Sequence, residues 1–126
     1  MNTADGSVEV ANAGHQEPII LRADGSVDAV DSVSEAVWAF TDTEFAVSTE
    51  QLGPGDVLIL PSRGCVDVVG QSGRPFTIER LAASLRESQD TRPTAVIRSV
   101  LRSIDDHVGT GTARHDLTLV AMRRES

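Results

Sequence analysis

Ser62-Arg63-Gly64-Cys65, Arg114-His115-Asp116-Leu117-Thr118 and Asn12-Ala13-Gly14-His15 are the three stretches of this sequence in which reactive or ligand-binding side chains gather. Arg63 presents a planar guanidinium that grips a phosphate or a carboxylate through paired N–H donors, or else stands as an ordinary surface arginine. Cys65, close to that cation, has the makings of a reactive thiol. With no histidine or second cysteine beside it, a small buried residue is the preferred reading. His115 and Asp116 offer one imidazole and one carboxylate, short of the several oxygen or nitrogen ligands that a divalent ion demands. His15 is read as a hydrogen-bonding turn residue in preference to a catalytic base. The chain carries no glycine-rich phosphate loop, no zinc-ligand spacing and no recognisable Ser-His-Asp arrangement.

These stretches belong to a chain of 126 residues, 40% hydrophobic and 24% charged, which is the size and composition of one globular domain or part of one. The formal net charge of −8, with all 11 basic residues arginine, argues against nucleic acid or an anionic membrane as partner, since both select clustered cations. A single cysteine excludes an internal disulfide, and no apolar run approaches the length of a membrane span. The first residues show no secretory pattern, so the expected location is the cytoplasm.

The elements that must position the three stretches follow from periodicity. Residues 1–6 are polar and are expected to be a disordered tail, with the folded part over 7–124. Val8, Val10 and Asn12 alternate as in a half-buried strand that ends at Gly14. Asp24-Gly25 between apolar runs predicts a hairpin with strands near 18–23 and 26–30. Residues 31–43 are read as a loop. Phe45, Val47 and Thr49 alternate again, and Gly53-Pro54-Gly55-Asp56 turns the chain into the apolar strand Val57 to Pro61. Ile78, Leu81, Ala82 and Leu85 then fall on one helical face behind a capping Thr77. Val96, Ile97, Val100, Leu101 and Ile104 form the stripe of a second helix that has Pro93 near its start. The last strand has Leu117 and Leu119 on one face and Val120 and Met122 on the other, which predicts a central strand covered on both sides. Strands grouped ahead of helices give an α+β layered architecture.

In this order the segments resemble the C-terminal part of the metal-dependent protein phosphatases of the PPM family, in its SpoIIE/RsbU-like bacterial serine phosphatase branch. "ANAGHQEPIILRADGSV" is similar to that family's "nAGHpPpllL…G" hairpin, and "LGPGDVLILPSRGCVD" to its "L.pGD.lllyTDGv.E" strand and turn. "FTIERLAASLRE" is similar to the "fG.erL...l" helix, and "RHDLTLVAMR" to the closing "DD.Tllv.r" strand. The resemblance implies an antiparallel β-sheet sandwich flanked by helices, with a two-metal Mn²⁺ or Mg²⁺ centre at one end. There a metal-activated water attacks a phosphoserine or phosphothreonine, and the usual substrate is a phosphorylated anti-anti-sigma factor or another partner-switching regulator.

The departures shape the functional expectation. The family domain is longer, and its N-terminal half, which supplies further ligands, is expected to be absent here. Arg63 stands where the resemblance places a metal-binding aspartate, before the retained Gly64. His115 replaces the first aspartate of the closing motif, with Asp116 and Thr118 retained, while Gly14 and His15 match the hairpin. The expectation is a partial, degenerate phosphatase domain, inactive by itself and binding no metal alone. Its expected partner is a protein: an anti-sigma or anti-anti-sigma regulator, or the missing phosphatase half. Exposed sheet edges also make a homo-oligomer an expected form. The alternative is an active Mn/Mg-dependent phosphatase completed by that missing half.

Overall fold

β2 and β5 are apolar at every position, with odd and even residues serving two different cores, and this gives a three-layer molecule. The structure, a computed structural model, describes residues 1–31, 47–110 and 116–125. Six strands and three helices follow in the order β1 (Ser7–Ala11), β2 (Ile19–Leu21), β3 (Val27–Ala29), β4 (Val47–Gln51), β5 (Val57–Pro61), α1 (Arg63–Val66), α2 (Ile78–Glu87), α3 (Pro93–Val108) and β6 (Leu119–Arg123). The loop read over residues 31–43 falls, apart from Asp31, outside the described residues.

β1 and β4 pair antiparallel as a two-stranded sheet, and the other strands form a second antiparallel sheet in the order β3-β2-β5-β6. Ile19, Leu21, Val57 and Ile59 point from this larger sheet into a core shared with Leu81, Leu85, Val96 and Val100 of the helices. Ile20 and Leu58, one residue out of phase, pack instead against Val8, Val30 and Leu52 on the side of the smaller sheet. The result is the expected α+β antiparallel sandwich, with helices laid on one face.

Local signals account for most element ends. Gly25 takes a φ of 88° in the β2–β3 hairpin, a conformation that costs little without a Cβ. Thr77 Oγ1 accepts from the Arg80 N–H at the start of α2, and Pro93 occupies the first turn of α3, where its missing N–H costs nothing.

Three features differ from the sequence reading. Residues 1–6 form a turn in place of a disordered tail: Asn2 N–H donates to Ser7 O at 2.8 Å, and Gly6 N–H to Asn2 O at 2.8 Å. Arg124 Nη1 clamps that turn by donating to Asp5 O at 2.9 Å and to Leu52 O at 2.6 Å. Second, the corner after β5 winds into α1, which at four residues is too short to show a helical period.

Third, β6 is an edge strand and not a central one, since among the described residues it pairs with β5 alone. Leu119 and Ala121 pack on the helix-side core. Val120 and Met122, on the opposite face, remain 40% and 39% exposed. Among the described residues, no helix is long and apolar enough to cross a membrane.

Candidate functional site

The end of β5 and the approach to β6 are stitched together, which brings two of the three polar stretches into contact. Ser62 N–H donates to Thr118 O at 2.9 Å, and Thr118 N–H returns a bond to Ser62 Oγ at 2.9 Å. Cys65 Sγ–H donates to the same Thr118 carbonyl at 3.3 Å. Cys65 is fully buried among core residues, so its thiol acts as a short apolar side chain with a hydrogen bond holding the corner shut.

Gly64 makes the closest approach. A Cβ built there would lie 2.1 Å from Asp116 O and 3.1 Å from the Asp116 carbonyl carbon, so only a residue without a side chain lets the two backbones meet. This contact sets Asp116 beside the corner that carries Arg63. The guanidinium of Arg63 points away into solvent: its side chain is 77% exposed, and its nearest acid is Asp67, one helical turn on, at 3.9 Å. A surface pair at that distance contributes little, about 0–1 kcal/mol.

The third stretch forms its own closed turn. His15 N–H donates to Asn12 Oδ1 at 2.8 Å, and Asn12 Nδ2 donates to His15 O at 3.0 Å. Asn12 is buried and shapes the turn through Gly14, whose φ is 86°. His15 Nδ1 lies 3.0 Å from the Gln16 carbonyl, which accepts only, so the ring proton sits on Nδ1 in the neutral form and Nε2 keeps its lone pair. In the sequence Asn12 opens one of the three polar stretches and reads as the last alternating position of a strand; the structure makes its side chain the anchor of the turn. An Asn two residues before a glycine is a turn-forming signal that was there to be used.

His15, Asn12, Ser62 and Thr118 all rim one open cleft between the sheets, with a volume of about 620 Å³ and a floor of aliphatic side chains from β5 and β6. His115 lies outside the described residues, so its relation to Asp116 is not part of this geometry.

A divalent metal needs several oxygen or nitrogen donors converging on one point. Among the described residues, no group of three or more His, Cys, Asp or Glu side chains converges in that way. Asp116 meets the corner through its backbone, and the corner residue Arg63 carries a cation, which is the wrong sign for a metal ligand. The described residues therefore do not fit a Mn²⁺ or Mg²⁺ centre. What the corner does offer is a set of oriented hydrogen-bonding groups at the mouth of an apolar cleft.

A second network lies at the opposite end of β5, and its members were not singled out in the sequence. Asp56 Oδ1 accepts from Ala23 N–H at 2.8 Å, and Oδ2 accepts from Gly53 N–H at 2.9 Å and from Arg22 Nη1 at 3.0 Å. Burial on its own would raise the Asp56 pKa. The two backbone N–H groups and the Arg22 guanidinium outweigh it and hold the carboxyl below its ordinary value. Arg22 also pairs with Asp28 at 2.7 Å, locking the β2–β3 hairpin to the start of β5. This network supports the strand that carries the corner and is not itself a site.

The family described as Stage II sporulation protein E (SpoIIE) matches residues 1–125. Protein IcfG of Synechocystis sp. is 23% identical over 124 residues, covering 98% of this chain and 19% of that protein. The phosphatase domain of the cell fate determinant SpoIIE from Bacillus subtilis superposes with a TM-score of 0.77 at 19% identity, covering 99% of this chain and 54% of that one. The RsbU and RsbW domains of Rv1364c from Mycobacterium tuberculosis give a TM-score of 0.77 at 22% identity, covering 97% of this chain and 34% of theirs. The chain thus spans about half the length of the phosphatase domain whose fold it shares, at 54% coverage.

Proposed function

The chain belongs to the SpoIIE family, and from that premise we propose that it is a partial, degenerate PP2C-type phosphatase domain, non-catalytic alone, that works as a cytoplasmic protein-binding module in bacterial partner-switching control of sigma factors. One observation carries this reading: Arg63, at the position where the resemblance puts a metal-binding aspartate, is a solvated arginine on a corner that meets the Asp116 backbone through Gly64. A guanidinium stays charged at any working pH. At an effective dielectric near 20, like charges about 4 Å apart repel by about 4 kcal/mol. Arg63 avoids that penalty only by staying turned outward, which leaves the corner without its carboxylate.

The intact core beneath the corner supports a retained binding role. The helix-side core runs unbroken from β2 and β5 to α2 and α3, and the hydrogen bonds joining Ser62 and Cys65 to Thr118 are all made. The reading is tested by calorimetric titration of the chain with Mn²⁺, alongside a phosphoserine-protein dephosphorylation assay. The expected result is no saturable tight binding and no turnover; two tight sites with turnover would sink it.

A second reading is favoured by the coverage of 54% against the Bacillus domain. In it, a separate N-terminal half completes an active enzyme whose remaining ligands come from that half. Its test is co-expression of this chain with an SpoIIE-type N-terminal half-domain, with Mn²⁺-dependent phosphatase activity as the readout.

A further inference from the structure

His107, in the last turn of α3, has both ring nitrogens engaged, and the two partners fix its charge. Nε2 lies 2.8 Å from Arg74 O, a carbonyl that only accepts, so the ring proton sits on Nε2. Nδ1 lies 2.8 Å from Arg80 Nη1, which only donates, so Nδ1 carries a lone pair. The neutral Nε2–H imidazole is the one form that satisfies both contacts. An imidazolium would turn an N–H and a positive charge toward a guanidinium that stays charged at any working pH.

The ring joins three segments at one point. It makes an edge-to-face contact with the buried Phe76, with centroids 5.5 Å apart. Arg74 O also accepts from Gly70 N–H at 3.0 Å, which closes the loop leading from α1 to α2. Gly70 packs so near His107 O that a Cβ there would lie 2.5 Å away. Arg80 belongs to the first turn of α2.

That turn begins on strained backbone. Thr77 has a φ of 70°, which a β-branched residue adopts only at a cost, and no other non-glycine among the described residues takes a positive φ. Its Oγ1 reaches Arg80 N–H at 3.5 Å, a long bond that leaves the contact with His107 as the firmer hold on Arg80. Thr77 N–H donates to Val66 O at 2.8 Å, so the strained residue is tied directly to α1, the corner that carries Arg63.

The charged groups around the ring oppose one another. Arg80 of α2 disfavours an imidazolium, while the loop presents only the Arg74 carbonyl. Asp106 of α3 and Glu87 of α2 border the same open cavity of about 300 Å³ as His107 and Arg80, and with the carbonyl end of α3 they favour it. The two carboxylates also give Arg80 a second place to pair.

We infer that His107 is a pH-operated latch on the start of α2. Neutral, it holds Arg80, and with it the strained Thr77 and the α1 corner. On taking a proton from solvent at Nδ1, it releases Arg80 toward Asp106 and Glu87 and keeps its Nε2–H bond to Arg74 O. The latch is closed at higher pH and opens as pH falls. It goes beyond the phosphatase reading, and no step in it needs metal or phosphoprotein.

The test follows the whole chain by NMR between about pH 8 and pH 5, the interval over which an imidazole changes charge. At the upper end the His107 ring nitrogens are expected to show the Nε2–H tautomer. Exchange protection at the Arg80 and Leu81 amides, which bond Thr77 Oγ1 and Thr77 O, is expected to fall about tenfold as His107 takes its proton, with Val100 in α3 unchanged. His107→Gln, whose amide still donates to Arg74 O but does not titrate, is expected to hold protection flat across the range. Arg80→Gln, at an exposed position, is expected to remove the step as well, because the imidazolium then meets no cation.

A neutral ring protonated on Nδ1 would overturn the inference, as would constant protection at Arg80 and Leu81 while His107 titrates. A step of the same size in either variant would assign it to another group and overturn the latch equally; Arg80→Gln supplies that result even where His107→Gln does not fold.

Discussion

Replacing Gly64 by alanine tests whether the β5 corner and the Asp116 segment are one rigid unit. The added Cβ would sit 2.1 Å from Asp116 O, 3.1 Å from its carbonyl carbon and 3.3 Å from Leu117 Cα. All three are backbone atoms, so no side chain can rotate away, and in a close-packed interior the two segments must part by about 1 Å. That movement strains the Ser62 N–Thr118 O and Thr118 N–Ser62 Oγ bonds, both 2.9 Å, and the Cys65 Sγ–Thr118 O bond at 3.3 Å.

Overpacking of this kind costs about 1–3 kcal/mol, and weakening the linked hydrogen bonds adds about 1 kcal/mol, for a total of roughly 2–4 kcal/mol. In a domain of this size each kcal/mol is worth about 3–5 °C, so the expected fall in Tm is about 6–20 °C. Scanning calorimetry and urea titration followed by circular dichroism read it directly. Gly53→Ala is the control, since the nearest atom to its Cβ is 3.5 Å away and its expected change is within about 0.5 kcal/mol. A Gly64→Ala protein as stable as that control would show that the two segments part without cost, and the single-unit description of the corner would be wrong.

Asp56→Asn, which sets an amide N–H₂ against the N–H donors of Gly53 and Arg22, is expected to cost about 2–4 kcal/mol by urea titration. Because the Asp56 pKa is lowered from 3.8 by folding, its contribution is fully present above that value and disappears as pH falls through the folded pKa. The wild type should therefore lose stability on acidification below pH 3.8 faster than Asp56→Asn does; parallel pH profiles would remove the carboxylate from that role. Cys65 in the folded chain is expected to resist Ellman's reagent and to react only at the rate of unfolding, and prompt stoichiometric reaction would contradict its burial. Arg63→Asp is expected to leave stability within about 0.5 kcal/mol, since it removes only a weak surface pair. Alone it should not create tight Mn²⁺ binding in calorimetry; if it did, the loss of the metal centre would be confined to that one corner.

The parts of the fold legible in the sequence are those decided by neighbours in the chain. Asp24-Gly25 named the β2–β3 hairpin because few residue pairs tolerate that turn, and Val57 to Pro61 stood out as a short apolar run between turn signals. Thr77 and Pro93 marked helix starts through backbone groups a few residues away. The one-turn α1 escaped because four residues hold no period. The turn over residues 2–6 combines local bonds of Asn2 and Asp5 with a clamp by Arg124 from the far end of the chain, and the latter leaves no mark in the local sequence.

The candidate site divides along the same line. Its residues were visible as polar corners, and the proposal that Arg63 replaces a metal-binding aspartate rests on the resemblance alone. That Gly64 meets Asp116, that Arg63 turns to solvent, and that Asn12 and His15 share a cleft with Ser62 and Thr118 are outcomes of how β1, β5 and β6 are arranged. No local pattern encodes that arrangement.

By itself, then, the sequence determined which segments become strands and helices, which faces are apolar, and which polar stretches break the pattern, because backbone sterics and burial periodicity act over a few residues. Only the tertiary structure decided that, among the described residues, β6 is an edge and one cleft lies open beside β1. Alternating apolar residues look the same in a strand whether its second face is covered or bare, and what covers it is a matter of partners distant in sequence.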